Sequence, residues 1–159
     1  MASTGQKLGD VGIIMEIRQF ENSDLKQCAE ALRCVMNAPP WNENWTETGA
    51  EKYLEEFTGS TRFVGFIASD DNHFIGAAFC HEKSWWENDE LYIDEFFIAS
   101  EHQGSGYGSL LVKYIVDYAA KKKLGSITLM TKRDIPAYFF YLKHGFADLS
   151  HVSFMAKNI

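Results

Sequence analysis

A loop rich in glycine separates two apolar segments near the middle of the chain. Gly104, Gly106 and Gly108 lie in this loop. Residues 91–100 before it are aromatic and β-branched, which is typical of a buried strand, and the residues after it repeat apolar side chains at helical spacing. A glycine-rich turn from a strand into a helix leaves backbone N–H groups unpaired, and the helix dipole adds partial positive charge. The segment therefore predicts an anion site, most often one for phosphate.

Two familiar phosphate-binding loops do not fit this spacing. A P-loop needs Gly-Lys-Ser/Thr five residues after its first glycine, whereas Ser109 stands five residues after Gly104 and no lysine follows it directly. A dinucleotide-binding loop needs glycine at the sixth place, which is again Ser109. That loop also needs an acidic residue at the end of a second strand, and residues 127–131 contain none.

The loop fits a third pattern, Gln-x-x-Gly-x-Gly, through Gln103, Gly106 and Gly108. Directly after a strand that contains Glu95, this motif resembles the coenzyme A pyrophosphate loop of the GNAT superfamily of acyl-CoA N-acyltransferases. For the loop taken alone, the alternative is a glycine-rich turn without a ligand. The resemblance implies that acetyl-CoA or coenzyme A is bound by Gln103, Gly104, Ser105, Gly106, Tyr107, Gly108 and Ser109.

A second motif follows about 30 residues after the loop. Ala137 opens an aromatic segment that ends at Tyr141, and Gly145-Phe146 comes next. This order is similar to the later motif of the same superfamily. Two motifs in the expected order and spacing are more specific than either one, so the chain is identified as resembling a GNAT member over nearly its whole length.

The resemblance implies an α/β fold: a single-domain, three-layer acyl-CoA N-acyltransferase (GNAT) fold with a mixed central β-sheet flanked by helices over residues 11–159. Residues 1–10 are expected to be a flexible N-terminal tail. Periodicity predicts strands at 11–17, 62–68, 73–82, 91–100 and 126–131, and one or two more over 146–156. Helices are predicted after Asn22-Ser23-Asp24, from a capping box of Thr48 with Glu51, after the glycine loop and over 135–143.

Two adjacent carboxylates are candidates for the base that N-acylation requires. An alkyl ammonium has a pKa near 10.4, so little of the amine is nucleophilic at neutral pH, and a carboxylate within reach, directly or through water, can take its proton. Asp94 and Glu95 are neighbours in a strand, where side chains alternate, so only one is expected to face the cleft. The family pattern favours Glu95. Asp94 would then face the other layer or pair with a basic residue, and it is also a candidate for acceptor binding. The alternative is that both carboxylates have structural roles.

The resemblance assigns further roles around the thioester. Tyr141 matches the family tyrosine that protonates the leaving thiolate, and a phenol suits this role because its pKa lies above that of a thiol. Backbone groups of Phe97 and Ile98 are expected to pair with the pantetheine arm, and Ala137 is a further candidate for cofactor binding. Asp134 stands where the family often has asparagine. Because a carboxylate cannot donate a hydrogen bond, Asp134 is a weaker cofactor candidate and could instead cap the next helix.

The segment between the first two helices holds the acceptor candidates. Trp41, Glu43 and Trp45 follow two prolines, and loops carry binding residues more often than core residues. In the family this connection borders the acceptor site, and the pattern is nearest to members related to aminoglycoside 6'-type acetyltransferases. We expect these three residues to wall the acceptor pocket. The alternative is that the tryptophans close the end of the sheet.

Composition restricts the partners. The net charge is −7 and no nucleic-acid motif is present, which disfavours nucleic acid; the charge either attracts cationic amines or only aids solubility. No apolar run is long enough to predict a membrane span. The cysteines are odd in number and lack metal or redox spacing, so we expect reduced core thiols, a cytoplasmic protein and no metal.

These features favour one function and leave two others open. The favoured function is an N-acetyltransferase that moves an acetyl group from acetyl-CoA to a primary amine of a small cationic molecule, aminoglycoside-like or polyamine-like, by direct attack in a ternary complex. The alternatives are a protein or peptide N-acetyltransferase and a non-catalytic coenzyme A-binding regulator. Family members are often dimers, so the resemblance allows for a homodimer.

Overall fold

A mixed sheet forms the middle layer of the fold. The computed structural model describes residues 4–7 and 14–159, and within them six strands pair in chain order. Neighbouring strands are antiparallel, except for the last two strands, which are parallel. The strands are β1 Thr4–Lys7, β2 Ile14–Gln19, β3 Phe63–Asp70, β4 His73–Lys83, β5 Glu90–Ile98 and β6 Ser126–Leu129.

Helices cover both faces of this sheet. One apolar cluster joins the first two helices to strand residues that include Phe79 and Phe97. A second cluster joins the third helix to strand residues that include Ile93. The last helix reaches the second side through Phe140, whose ring centroid lies 5.8 Å from that of Phe96. The predicted three-layer α/β architecture is therefore confirmed. The helices are α1 Leu25–Asn37, α2 Glu47–Thr58, α3 Tyr107–Lys121 and α4 Pro136–Lys143.

A bulge in β5 changes the direction in which its side chains point. Phe79 of β4 pairs with Glu95, whereas the next residue, Cys80, pairs with Ile93. Asp94 is therefore an extra residue in β5, and such a bulge shifts the alternation of side chains by one position. Ile93 packs on the α3 side, so alternation places Asp94 on the α1–α2 side. Because of the bulge, Glu95 faces the α1–α2 side as well.

β5 loses its neighbour on one edge halfway along its length. Its parallel pairing with β6 runs from Glu90 opposite Ser126 to Ile93 opposite Leu129. Beyond Ile93, among the described residues, β5 is paired with β4 alone. The backbone groups on its other edge are therefore available to a ligand that adds to the sheet as an extra strand. We call this part of the strand the open edge of β5.

The two ends of the chain differ from the sequence-based expectation. The predicted strand or strands over 146–156 are wrong, because the chain after α4 forms turns and irregular structure. Leu149, Val152 and Phe154 stay exposed there. At the other end, Thr4–Lys7 lies within the predicted tail but pairs with β2 as an edge strand. Residues 11–13 of the first predicted strand lie outside the described residues.

The N-cap of α2 lies two residues before the predicted one. Thr46 is the N-cap, and its Oγ1 accepts a hydrogen bond from the N–H of Gly49 at 3.0 Å. The predicted capping box of Thr48 with Glu51 is therefore wrong. The sequence offers two threonines at this point, and the one that lies in extended backbone becomes the cap.

Two expectations from composition can be compared with the described residues. Cys28 and Cys80 are buried and free, as predicted for core thiols, whereas Cys34 is exposed on α1. None of the helices in this part of the chain is long and apolar enough to cross a bilayer.

A carboxylate with little exposure lies directly before α1. Asp24 is 4% exposed and accepts hydrogen bonds from the Arg18 guanidinium at 2.6 and 2.7 Å. It also accepts the N–H of Glu21 at 2.8 Å. Burial alone would raise the pKa of Asp24, but the bonds from Arg18 and Glu21 outweigh burial and lower that pKa.

We expect Asp24→Ala to lower the free energy of unfolding by about 2 kcal/mol, because Arg18 and the Glu21 N–H lose their acceptor. The difference is full above pH 3.8, the ordinary aspartate value, and is lost as the pH falls through the lowered pKa of the folded state. Urea unfolding at neutral and acidic pH measures it. Glu30→Ala removes an exposed carboxylate from the same helix and should cost much less, because exposed ion pairs contribute little to stability. Equal losses in both variants would contradict this account.

Candidate active site

A cavity of about 1600 Å³ opens where β5 and β6 separate. Residues of α1, α2, their connecting loop, β6 and α4 form its walls. Six of the predicted site residues line it: Trp41, Glu43, Trp45, Asp94, Glu95 and Tyr141. The structure therefore brings the predicted acceptor and catalytic side chains together. The glycine loop, Phe97, Ile98, Asp134 and Ala137 lie outside these walls.

Glu95 has the properties of a general base. Its Oε1 accepts a hydrogen bond of 2.6 Å from the hydroxyl of Tyr53 in α2. Burial raises the pKa of Glu95 to about 7, and the negative charges of Glu43 and Asp94 act in the same direction, whereas the Tyr53 bond opposes them. A carboxylate with a pKa close to neutrality is ionised in part at pH 7 and binds a proton more strongly than an exposed one.

Asp94 faces the same side as Glu95, so the expectation that only one of the two faces the cleft is wrong. The bulge in β5 is the physical reason, since it inserts one residue into the alternation. Asp94 Oδ2 lies 2.7 Å from Nδ1 of His81. Burial raises the pKa of Asp94, and the contact with His81 opposes that shift. The predicted pairing of Asp94 with a basic residue is present, but on the cavity side of the sheet.

Tyr141 is buried in α4 and lines the same cavity. Its ring packs against Phe146, with 5.3 Å between the centroids, and against Phe96 at 6.1 Å. Burial raises the pKa of Tyr141, with smaller contributions from Cys80 and the charge of Glu95. Its hydroxyl therefore keeps its proton at neutral pH and can donate it to a stronger base.

Two glycines of the loop have a backbone conformation that residues with a side chain rarely adopt. Gly104 and Gly106 have φ of 75° and 89°, in the left-handed region that favours glycine. A Cβ at either position would meet no atom within 4 Å, so the backbone conformation, rather than lack of space, requires glycine. Gly108 is different, because its Cβ would lie 3.3 Å from the ring of Phe140 in α4. The loop thus ends in α3 with its first N–H groups free of helical partners.

Several side chains of the loop hold the loop in place. The Gln103 amide donates to the carbonyl of Ile98 at 2.9 Å. The Tyr107 hydroxyl donates to Asp70 at 2.6 Å, and Ser109 Oγ lies 3.0 Å from Nε2 of His144. Ser105 is exposed. These contacts leave backbone N–H groups as the loop's main donors to an anion.

The open edge of β5 presents Phe96 and Ile98 rather than Phe97. The N–H of Ala99 donates to Ile75 in β4 at 2.9 Å, so that residue points to β4. Backbone groups alternate in direction along a strand, which turns Phe97 to β4 and leaves Phe96 and Ile98 on the open edge. The prediction for Ile98 fits this pattern. The prediction for Phe97 needs correction, because its N–H and C=O are directed to the neighbouring strand.

Asp134 and Ala137 precede and begin α4. Asp134 is exposed, with φ of 62°. The N-cap of α4 is Ile135 and no side chain caps it, so Asp134 does not cap the helix as the sequence suggested. Ala137 lies half-buried in the first turn, after Pro136. A role in cofactor binding stays a prediction for both residues.

The loop between α1 and α2 is held by hydrogen bonds around Trp45. Its N–H donates to Asn37 Oδ1 at 2.7 Å, and its indole N–H donates to Glu43 at 2.6 Å. Lys132, from the segment after β6, lies with Nζ 5.2 Å from the ring centroid of Trp41. The face of Trp41 is therefore in contact with a cation, which aromatic faces attract.

Sequence reasoning missed four residues of the site: Tyr53, His81, Phe96 and Lys132. Helical spacing predicts only that Tyr53 lies on the apolar face of α2, and it gives no sign that the hydroxyl reaches a strand 42 positions away. The directions in which His81 and Phe96 point depend on the register between β4 and β5, which the sequence does not show. No local sequence pattern indicates that Lys132 contacts Trp41. Among the described residues, no group of three or more His, Cys, Asp or Glu side chains could hold a metal ion.

Known proteins are similar to this chain in sequence or in fold. Streptothricin acetyltransferase from Streptomyces lavendulae is 32% identical over 122 residues, which are 74% of this chain but only 62% of that protein. A GNAT family acetyltransferase from Staphylococcus aureus has a TM-score of 0.68 at 19% identity, with 91% of this chain and 98% of that chain covered. An aminoglycoside acetyltransferase from an uncultured soil metagenomic sample has a TM-score of 0.71 at 16% identity, with 91% and 96% covered. The two solved structures show a common fold.

The sequence profile of the acetyltransferase (GNAT) family matches residues 30–146. This range includes the glycine loop, Glu95 and Tyr141. Since one profile spans both motifs and most of the chain, the chain belongs to the acetyltransferase (GNAT) family.

Proposed function

We propose that this protein is an N-acetyltransferase that transfers an acetyl group from acetyl-CoA to a primary amine of a small cationic molecule. The observation that carries the proposal is Glu95, a carboxylate with a pKa of about 7 that lines the cavity next to Tyr53. Amine acylation needs such a group, because the acceptor is an ammonium ion at neutral pH.

The chain has groups that fit acetyl-CoA. The glycine loop supplies N–H donors for a diphosphate at the start of α3, where the helix dipole adds partial positive charge. Its positive φ values at Gly104 and Gly106 let the backbone reach that ligand without a side chain in the way. The open edge of β5 supplies the N–H groups of Phe96 and Ile98 and the C=O of Phe96 for the amides of the pantetheine arm, since the C=O of Ile98 already accepts from Gln103. These groups extend from the loop toward Glu95.

The acceptor side of the cavity favours a cation. Glu43, Asp94 and Glu95 bring three carboxylates to its walls, beside the rings of Trp41 and Trp45. Carboxylates and aromatic faces both attract ammonium groups. An amine with additional positive charge, such as an aminoglycoside-like or polyamine-like molecule, fits these walls better than an anionic or neutral one.

Two side chains handle the protons. When bound, acetyl-CoA supplies the acetyl group through its thioester, and coenzyme A leaves as a thiol once the amide bond has formed. Glu95 takes the proton that the attacking nitrogen gives up. Tyr141 Oη holds the proton that the sulfur requires, and its raised pKa keeps that proton in place until then. An N–H on the open edge of β5 can donate to the carbonyl oxygen, and donors of this kind contribute about 3 kcal/mol.

The relatives support a small amine as acceptor. One is named for streptothricin and a solved structure is described as an aminoglycoside acetyltransferase. A relation to aminoglycoside 6'-type acetyltransferases in particular is our proposal. It is based on the loop between α1 and α2, which contains Trp41 and Trp45. Protein or peptide acetylation is less favoured, because Trp41 and Trp45 wall the acceptor side.

An acetylation screen tests the proposed function. The purified protein is incubated with acetyl-CoA and separate panels of aminoglycosides, polyamines, amino acids and peptides, and products are identified by mass spectrometry. We expect acetylated product from cationic small amines, and more than from neutral amines. Product from peptides alone would support the protein acetyltransferase instead. No product from folded protein that binds coenzyme A would support a non-catalytic regulator.

Gly106→Ala should weaken coenzyme A binding about tenfold. A residue with a Cβ pays about 1–2 kcal/mol to keep the left-handed backbone, so the loop relaxes when free and must be strained again on binding. Isothermal titration with coenzyme A measures the change. Gly59→Ala is the matched control, since Gly59 has φ of −74° and its Cβ would lie no closer than 3.8 Å to another atom. Equal affinities for the two variants would contradict the role of the loop.

A further inference from the structure

Tyr53 lies between Trp45, in the wall of the proposed acceptor pocket, and Glu95, the proposed base. Its ring centroid is 4.9 Å from that of Trp45 and 5.0 Å from that of Phe57 in the next turn of α2. The ring is therefore enclosed by aromatic neighbours on two sides. Its hydroxyl points away from them and donates to Glu95 Oε1 at 2.6 Å. The Tyr53 side chain thus contacts both Trp45, in the α1–α2 loop, and the carboxylate of Glu95.

The surroundings of Glu95 otherwise oppose its ionised form. Burial disfavours the charge, and the carboxylates of Glu43, in the α1–α2 loop, and Asp94, in β5, repel it. From α4, Tyr141 shares the same cavity and is affected by the charge of Glu95. The Tyr53 hydroxyl is the group in contact with Glu95 that favours the charged carboxylate.

We propose that Tyr53 is a positioning residue for Glu95, holding the carboxylate in one orientation and favouring its ionised form. The kinetic consequences rest on the proposed function, but the contact itself does not. A hydrogen bond from a neutral donor to a carboxylate is strong because the acceptor is charged. With Tyr53 in place, Glu95 keeps one oxygen bonded to the phenol and the other free to take a proton.

The same contact connects the base to the acceptor wall. Trp45 is fixed by Asn37, which accepts its N–H at 2.7 Å and donates to its carbonyl at 3.0 Å. Trp45 packs on Tyr53, and Tyr53 bonds Glu95. The position of the α1–α2 loop therefore sets the orientation of the base, although the loop and Glu95 are far apart in the sequence.

Tyr53→Phe tests the proposal through the titration of Glu95. The carboxyl carbon of Glu95 is followed by NMR in the full-length protein without any substrate. We expect its pKa to rise by about one to two pH units in the variant, because a hydrogen bond to the charged form is lost. The acid limb of the kcat/KM profile should move to higher pH by the same amount. An unchanged Glu95 titration in folded Tyr53→Phe would overturn the proposal.

Tyr118→Phe is the matched control. Its hydroxyl donates to Glu82 at 2.7 Å, so the variant loses the same kind of bond elsewhere in the fold. We expect the Glu95 titration to stay as in the wild type. In the background of Glu95→Gln, Tyr53→Phe should reduce kcat/KM by less than about twofold, since coupled residues do not contribute additively. A full additional loss would show that Tyr53 acts by another route.

The wild-type protein supplies a test that needs no variant. The ring carbon that bears the Tyr53 hydroxyl should report the ionisation of Glu95 at a pH of about 7. A Tyr53 signal that does not respond as Glu95 titrates would contradict the proposal. If no amine is acetylated, the proposed function fails, while these titrations still decide whether Tyr53 controls Glu95.

Discussion

Replacing Glu95 with glutamine is expected to lower kcat/KM for the amine by about 10²–10³-fold, because general-base catalysis contributes on this scale. Glutamine keeps the size of the side chain and can accept the Tyr53 hydrogen bond through its carbonyl oxygen, but it cannot take a proton. The loss should appear in kcat, with a small change in the KM for acetyl-CoA.

The pH dependence gives a second result for the same residue. Glu95 accepts a proton only when ionised, and its pKa is about 7, so the wild-type kcat/KM should rise with pH through that value. The rise should be absent in Glu95→Gln. Glu82→Gln is the matched control, since Glu82 also accepts a tyrosine hydroxyl, at 2.7 Å, on the other side of the sheet from α2. A Glu95→Gln enzyme within about threefold of the wild type would exclude Glu95 as the base.

Replacing Tyr141 with phenylalanine is expected to lower kcat by about 10²-fold, the lower end of the range for acid–base groups. Phenylalanine retains the packing against Phe96 and Phe146 and removes only the proton donor. Without that donor, the sulfur must leave as a thiolate or take its proton from water. Coenzyme A affinity should change little, because the glycine loop is untouched.

Tyr138→Phe controls for the loss of a hydroxyl from the same helix. The Tyr138 hydroxyl is bonded to Asp148 at 3.1 Å, near the exposed end of the chain. This variant should keep the wild-type kcat, as measured by release of free thiol from acetyl-CoA. If Tyr141→Phe and Tyr138→Phe are equally active, another group protonates the sulfur.

Local motifs predicted the conformation of two segments that lie within short stretches of sequence. The loop from Gln103 to Ser109 and the segment that ends at Tyr141 depend on glycine conformation and on a short helix. Both are encoded by neighbouring residues. The strands from β3 to β6 and the helices α1 to α4 also followed from periodicity, with shifts of a few residues at their ends.

The orientation of Asp94 could not be predicted in this way. The alternation rule holds for a regular strand, and the bulge is defined by the register between Phe79, Cys80 and their partners in β5. Register depends on pairing between distant segments. The same reason explains Phe97, whose backbone direction is fixed by the bond from Ala99 to Ile75.

The predicted strand after Phe146 failed for a related reason. Alternating apolar residues there satisfy the pattern of a strand, but a strand also requires a partner edge. Among the described residues, β6 pairs with β5 alone, and the segment after α4 instead lines the cavity with residues such as Leu149 and Phe154. The contact of Tyr53 with Glu95 was missed because helical periodicity identifies a buried face but not its polar partner.

The central claim is that coenzyme A binds with its diphosphate at the glycine loop and its arm along the open edge of β5. Amide hydrogen exchange, measured with and without acetyl-CoA, tests this directly. The account predicts that binding slows exchange at Gly104 to Ser109 and at the N–H groups of Phe96 and Ile98, while the exposed residues around Glu30 are unaffected. Acetyl-CoA binding that protects neither the loop nor the open edge of β5 would contradict it.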